Sequence, residues 1–142
     1  ATPSQISRIE NGMLSYGSDM SLNENPFEIN MDKFVDLDKK ANFLSKEALS
    51  RIYKQGVKKE LVGIEIISDP FKDFVADHLI LQFNDKKVGK ITSSVYSPRL
   101  KKNIGLALID KRNAEIKEGY TVNMSGITAK VKICNLPFLK NK

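Results

Sequence analysis

Three carboxylates early in the chain, Glu10, Asp19 and Glu28, flank Tyr16 and follow Arg8. Carboxylates so placed can hold a polar ligand or move a proton, and a tyrosine can offer a ligand its hydroxyl or its ring face. Arg8 and Glu10 are two residues apart, so on a helix they leave from different faces and do not pair. The plainer reading makes the acids caps and turn partners, as Asp and its like usually are beside helix ends. Tyr16, in register with Ile9 and Met13, then reads as core.

Other reactive residue types are sparse. A single cysteine, Cys134, excludes an intramolecular disulfide and any multi-cysteine metal site, and a single histidine, His78, removes imidazole clusters. Cys134 lies in an alternating apolar run and reads as a buried, inert thiol. His78 opens a strand-like segment without an orienting partner nearby and reads as partly exposed and nonfunctional. Thr92-Ser93-Ser94 offers three hydroxyls, but no Gly-x-Ser-x-Gly surrounds them, so strand packing is their use. Neither a P-loop nor a dinucleotide fingerprint is present. The residues therefore assign no catalytic group and no metal site.

The elements that must position these groups come in two kinds. Thr2 as N-cap, Pro3 at the first helical position and Gln5 three residues after the cap start a helix. Ile6, Ile9, Met13 and Tyr16 continue it at spacings of three and four, and Gly17 stops it. Gly12 inside it would cost about 1 kcal/mol relative to alanine. Residues 18 to 42 are polar and irregular, with a turn at Asn23-Glu24-Asn25-Pro26 and an apolar patch of Met31, Phe34, Val35 and Leu37. Ser45 caps a second helix, Lys46 to Gln55, stapled by Leu44 and Leu49, with Ala48, Leu49, Ile52 and Tyr53 inward and Gly56 after it. From Lys59 the period becomes two: Leu61 to Ile67, Leu79 to Phe83, Lys87 to Tyr96, Asn103 to Ile109, Tyr120 to Met124 and Ile127 to Asn135. Six short strands with hairpin turns at Asn84-Asp85 and Ser125-Gly126 make a mainly β, antiparallel barrel or sandwich. Gly89 within the third strand marks a bulge or a close backbone approach.

At 142 residues the chain can bury one sizeable core. Its 41% hydrophobic and 28% charged residues are ordinary for a globular protein, and no apolar run approaches the ~20 residues that span a bilayer. No signal peptide is visible, and cytoplasm is the simplest compartment. The net charge of +6 rests mostly on lysine, since only Arg8, Arg51, Arg99 and Arg112 are arginines. The doublets Lys39-Lys40, Lys58-Lys59, Lys86-Lys87 and Lys101-Lys102 fall at turns without interleaved aromatics. That pattern reads as solvated loops, not as a nucleic-acid stripe, although the field would help an anionic small ligand.

One order of motifs runs through the chain: Arg8-Ile9-Glu10, Tyr16-Gly17-Ser18-Asp19, Asn25-Pro26-Phe27-Glu28, Phe43-Leu44-Ser45-Lys46-Glu47-Ala48-Leu49, Ser97-Pro98-Arg99-Leu100 and Leu136-Pro137-Phe138. It resembles the C-terminal part of the glycine cleavage T-protein (aminomethyltransferase) family. The resemblance implies a six-stranded antiparallel barrel preceded by two helices and a connecting segment. Residues 1–58 would end a preceding domain and 59–142 would form the C-terminal barrel. Such proteins have three domains and pass a one-carbon unit to tetrahydrofolate in a central cleft, with the catalytic aspartate upstream of the part matched here. The chain is accordingly expected to be the end of a larger transferase, closing one wall of a folate cleft and inactive alone. Arg8, Met13 and Tyr16 are the expected contacts to folate or substrate. The implied partners are the preceding domains and a small one-carbon donor, with no nucleic acid and no membrane.

Departures from the family pattern narrow the branch. Ser4 and Gln5 stand where an Arg-Asp pair precedes the Leu-Arg-Leu-Glu segment, and the Pro-x-x-Ile-x-Arg-Ile-Glu preface looks more like the dimethylsulfoniopropionate demethylase branch. Asn42, Ser45 and Ser94 replace residues that are often aspartate, glycine and glycine, changes that mainly affect turns. The alternative is a noncatalytic barrel that binds nucleic acid or belongs with the iron-sulfur assembly relatives. Those relatives carry a Lys-Gly-Cys-x-x-Gly-Gln-Glu motif absent from this sequence.

Overall fold

The structure, a computed structural model, describes residues 3–29, 31, 35–38, 46–56, 58–75, 78–113, 115–124 and 126–139. Helix α1 spans Pro3–Glu10 and α2 spans Lys46–Gln55. The strands are β1 Lys59–Ile67, β2 Leu79–Phe83, β3 Lys86–Ser97, β4 Lys102–Asp110, β5 Tyr120–Met124 and β6 Ile127–Cys134. They follow the spatial order β1-β4-β3-β2-β5-β6, every pair is antiparallel, and β1 pairs with β6. That last pairing closes the barrel and excludes the sandwich. The β2–β3 hairpin turns at Asn84 and Asp85, whose φ angles of 50° and 61° suit a two-residue mirror-image turn.

Two hydrophobic layers share a wall. Inside the barrel lie Val62, Ile64 and Ile66 of β1 with Leu81, Ile91, Ile109, Tyr120, Val122, Val131 and others. Outside it, Leu61, Val95, Ile104, Leu106 and Leu108 form a second layer with Ile9 and Ile29. Because β4 is packed on both faces, it is buried without a break from Asn103 to Ile109 and its sequence carries little alternation. Each fully buried Ile or Leu contributes roughly 1.5–3 kcal/mol, so this outer layer weighs heavily in the fold. The C-terminal tail completes the cover: a Cβ on Gly63 would stand 2.9 Å from both Leu136 and Phe138.

The helices depart from the expected pattern. α1 ends at Glu10, because Gly12 takes a left-handed φ of +69° and reverses the chain. Gly12 N donates to Ile9 O at 2.9 Å and Met13 N to Arg8 O at 2.9 Å, the paired bonds of a glycine C-terminal cap. Gly12 therefore terminates the helix and does not weaken its interior. Met13 and Tyr16 lie beyond that reversal and are 61% and 67% exposed, so they are not core. In α2, Ala48 and Tyr53 are exposed while Leu49 and Ile52 are half-buried. The Tyr53 ring instead meets Phe27, with 5.5 Å between centroids. The caps expected at Thr2 and Ser45, the staple residue Leu44, Phe34, Asn42 and the turn residue Ser125 lie outside the described residues.

Candidate functional site

The candidate site is built where α1 and the loop after it cross the outer wall of β3. The register of β3 against β4 slips between Ile91 and Ser93, which leaves Thr92 as the extra residue of a bulge. Successive strand side chains normally leave from opposite faces, but here two neighbours turn to the same acid. Thr92 Oγ1 donates to Asp19 Oδ1 at 2.6 Å and Ser93 Oγ donates to the same oxygen at 2.5 Å. The other oxygen, Oδ2, accepts from Ser15 N at 2.9 Å and from Arg8 Nη1 at 2.5 Å. Asp19 is 1% exposed, and four donors occupy its carboxylate. Its task is to hold other groups in place.

Arg8 is the group most firmly held. Nη1 also donates to Met13 O at 2.9 Å, Nε donates to Gln5 Oε1 at 3.1 Å, and the guanidinium lies 5.7 Å above the Phe74 ring centre. Nη2 is buried and has no acceptor among the described residues. Glu10 and Glu28 are structural. The buried Glu10 carboxylate accepts from the Ser97 hydroxyl, and its backbone carbonyl accepts from Phe138 N at 2.9 Å, which fastens the tail. Glu28 closes a turn by accepting Asn25 N at 3.2 Å, while its carbonyl accepts Leu61 N at 2.9 Å.

The loop that carries Tyr16 is fixed from both sides. Gly17 N donates to Met20 O and Asp19 N to Ser15 O, each at 2.8 Å. His78 Nε2 donates to Ser18 O at 2.8 Å, so the exposed imidazole pins this loop to the segment before β2. Arg8 and Met13 are thus joined directly, and Tyr16 projects outward from a braced turn three residues on. Thr92, Ser93, Phe74, Gln5 and His78 are the supporting residues that sequence reasoning missed. Thr92-Ser93 was visible as a pair of hydroxyls, but nothing in the sequence placed a bulge there.

This arrangement can bind and orient, and it offers no activated nucleophile. Burial pushes the Cys134 thiol up, Glu65 adds to that, and Lys102, Lys117 and Lys132 oppose it. The Tyr120 phenol is likewise pushed up by burial and donates to Asn113 O. Among the described residues no three His, Cys, Asp or Glu side chains are grouped to hold a metal ion, and no helix is long and apolar enough to cross a membrane.

Comparison with known proteins gives a consistent result. A family model for the glycine cleavage T-protein C-terminal barrel domain matches residues 59–140. An aminomethyltransferase of Listeria welshimeri is 38% identical over 135 residues, covering 94% of this chain and 36% of the relative. One from Caldanaerobacter subterraneus subsp. tengcongensis is 36% identical over 133 residues, covering 94% and 34%. The crystal structure of glycine cleavage system aminomethyltransferase T from Bartonella henselae superposes with a TM-score of 0.82 at 17% identity, covering 94% of this chain and 37% of that one. At that identity the superposition speaks for the fold. The chain spans about a third of the length of these relatives.

Proposed function

The chain belongs to the glycine cleavage T-protein family, and from that premise we propose that it is the C-terminal part of a tetrahydrofolate-dependent one-carbon transferase, its barrel closing one wall of the folate cleft. Residues 1–58 are the end of a preceding domain in this reading, 59–142 the barrel domain, and the other walls come from preceding domains of the same cytoplasmic protein.

The observation that supports it best is the exposure of Met13 and Tyr16. Two large side chains stand 61% and 67% exposed on a loop whose anchors, Asp19 and Arg8, are buried or nearly so. A rigid apolar and aromatic surface of this kind suits a flat heterocycle, since ring contacts are worth roughly 0.5–1.5 kcal/mol beyond the area they cover. Bound tetrahydrofolate would supply the amine that receives the one-carbon unit. Tyr16 offers its ring face, Met13 a soft apolar contact and Arg8 a fixed positive charge behind them. Catalysis then rests on placement and exclusion of water, with no catalytic residue assigned to this chain.

For the donor, Ser4 and Gln5 in place of an Arg-Asp pair favour a sulfonium methyl group, as in the dimethylsulfoniopropionate demethylase branch, over an aminomethyl group. The test is made on the protein with its preceding domains, incubated with tetrahydrofolate and each donor in turn. Formation of methyltetrahydrofolate from the sulfonium is the expected result, methylenetetrahydrofolate from an aminomethyl-lipoyl carrier would reverse the donor assignment, and turnover of neither would remove the transferase reading. Residues 1–142 alone should show no turnover with either.

A further inference from the structure

Two of the lysine doublets and the pair Lys111-Arg112, far apart in sequence, meet at one end of the barrel. β1 begins there with Lys59 paired to Asp110, the β2–β3 hairpin brings Lys86 and Lys87, and β4 runs out into a single 3-10 turn, Lys111–Asn113. Lys111 N donates to Lys58 O at 2.9 Å, which ties that turn to the start of β1. Two adjoining depressions result. One of about 550 Å³ is lined by Lys58, Asp110, Lys111 and Arg112; the other, of about 390 Å³, is bordered by Lys59, Lys87, Lys90 and Asp110 over the backbone at Gly89. That floor stays bare because a Cβ on Gly89 would lie 2.2 Å from Leu108 O.

Six cations, Lys58, Lys59, Lys87, Lys90, Lys111 and Arg112, therefore border depressions that share the carboxylate of Asp110. Among the described residues none of the six has a carboxylate oxygen within 4.0 Å, whereas Arg8, Lys102 and Lys132 each have one. Two other acids accompany the six: Asp85 in the exposed hairpin turn beside Lys86, and Glu24, which faces Lys59 and Lys90 from the segment after α1. Burial pushes the Glu24 carboxyl up, but bonds from the Ser21 hydroxyl and amide, with the charges of Lys90 and Lys59, outweigh it and hold it below the ordinary glutamate range. Like charges this close repel one another over the ~8 Å screening length of physiological salt, and an anion seated among them relieves that repulsion.

We propose that this end of the barrel is a binding site for a small polyanion, a molecule carrying two or more phosphate or carboxylate groups. Arg112 supplies the planar fork that recognises either group, and the lysines supply point charge around it. Each depression falls within the roughly 300–1,000 Å³ of ligand sites. Nucleic acid fits less well, because no aromatic side chain lines the site and Asp110 and Glu24 interrupt the positive track that a phosphodiester chain would follow. The proposal does not depend on the folate reading.

Titration calorimetry on residues 1–142, with tripolyphosphate and with citrate as probes, tests it. One saturable site is expected for at least one probe, the tighter of the two identifying the preferred group, with affinity falling about tenfold or more from low to high salt. The double variant Lys111→Glu/Arg112→Glu should weaken binding at least about tenfold, whereas Lys101→Glu/Lys130→Glu, with the same change in net charge, should leave it unchanged. Circular dichroism verifies that both variants are folded. Absence of saturable binding by either probe, equal losses in the two variants, or tighter binding of a single-stranded oligonucleotide than of tripolyphosphate would each overturn the assignment.

Discussion

Asp19 shows how a single buried side chain can tie several segments together. Its two oxygens take donors from four residues on α1, the loop after it and β3, so Asp19→Ala removes a partner from Arg8, Ser15, Thr92 and Ser93 at once. Removing one partner of a buried ion pair costs about 3–5 kcal/mol, and urea unfolding of the variant should show a loss of that order. Ser94, one residue along β3, should behave in the opposite way. Its hydroxyl is fully buried and has no partner among the described residues, so Ser94→Ala should leave the unfolding midpoint unchanged or raise it, by at most about 1–3 kcal/mol in stability. A marked loss in Ser94→Ala would mean that the hydroxyl has an unrecognised partner.

At the level of elements, the sequence was most legible where one period ruled. The existence and approximate bounds of the strands and the Asn84-Asp85 hairpin follow from β-rich runs and turn chemistry, and the family motifs supplied closure into a barrel, whereas the order of the strands around it came only with the structure. The end of α1 was misread because Met13 and Tyr16 prolong the three-and-four spacing past Gly12, and spacing alone cannot tell a continuing helix from one capped by a left-handed glycine. Gly12→Ala separates the two cases: an interior glycine would gain about 1 kcal/mol on substitution, whereas the cap should lose about 1–2 kcal/mol, read from thermal melts. The sequence offered Arg8, Met13 and Tyr16 as contact candidates but gave no sign of the residues that brace them. Thr92 and Ser93 reach Asp19 only because of a bulge, and Phe74 and His78 come from a segment more than fifty residues further along the chain. Such long-range supports leave no local pattern to read.

For the whole molecule, charge and apolar surface are distributed by topology. Antiparallel strands return lysine-bearing turns to one end of the barrel, although in sequence those turns look scattered. The apolar wall of β1, β4 and β3 faces two ways, toward the barrel interior and toward α1, the residues up to Met31, Phe74 and the tail. The outer face of that wall is therefore covered by residues from both sides of position 58. Anyone recombining this barrel with the preceding portion of a relative would do better to place the crossover ahead of Pro3 than at Lys59, since the later junction sets a foreign cover over Leu61, Val95, Ile104, Leu106 and Leu108 and asks two independently drifted surfaces to interlock.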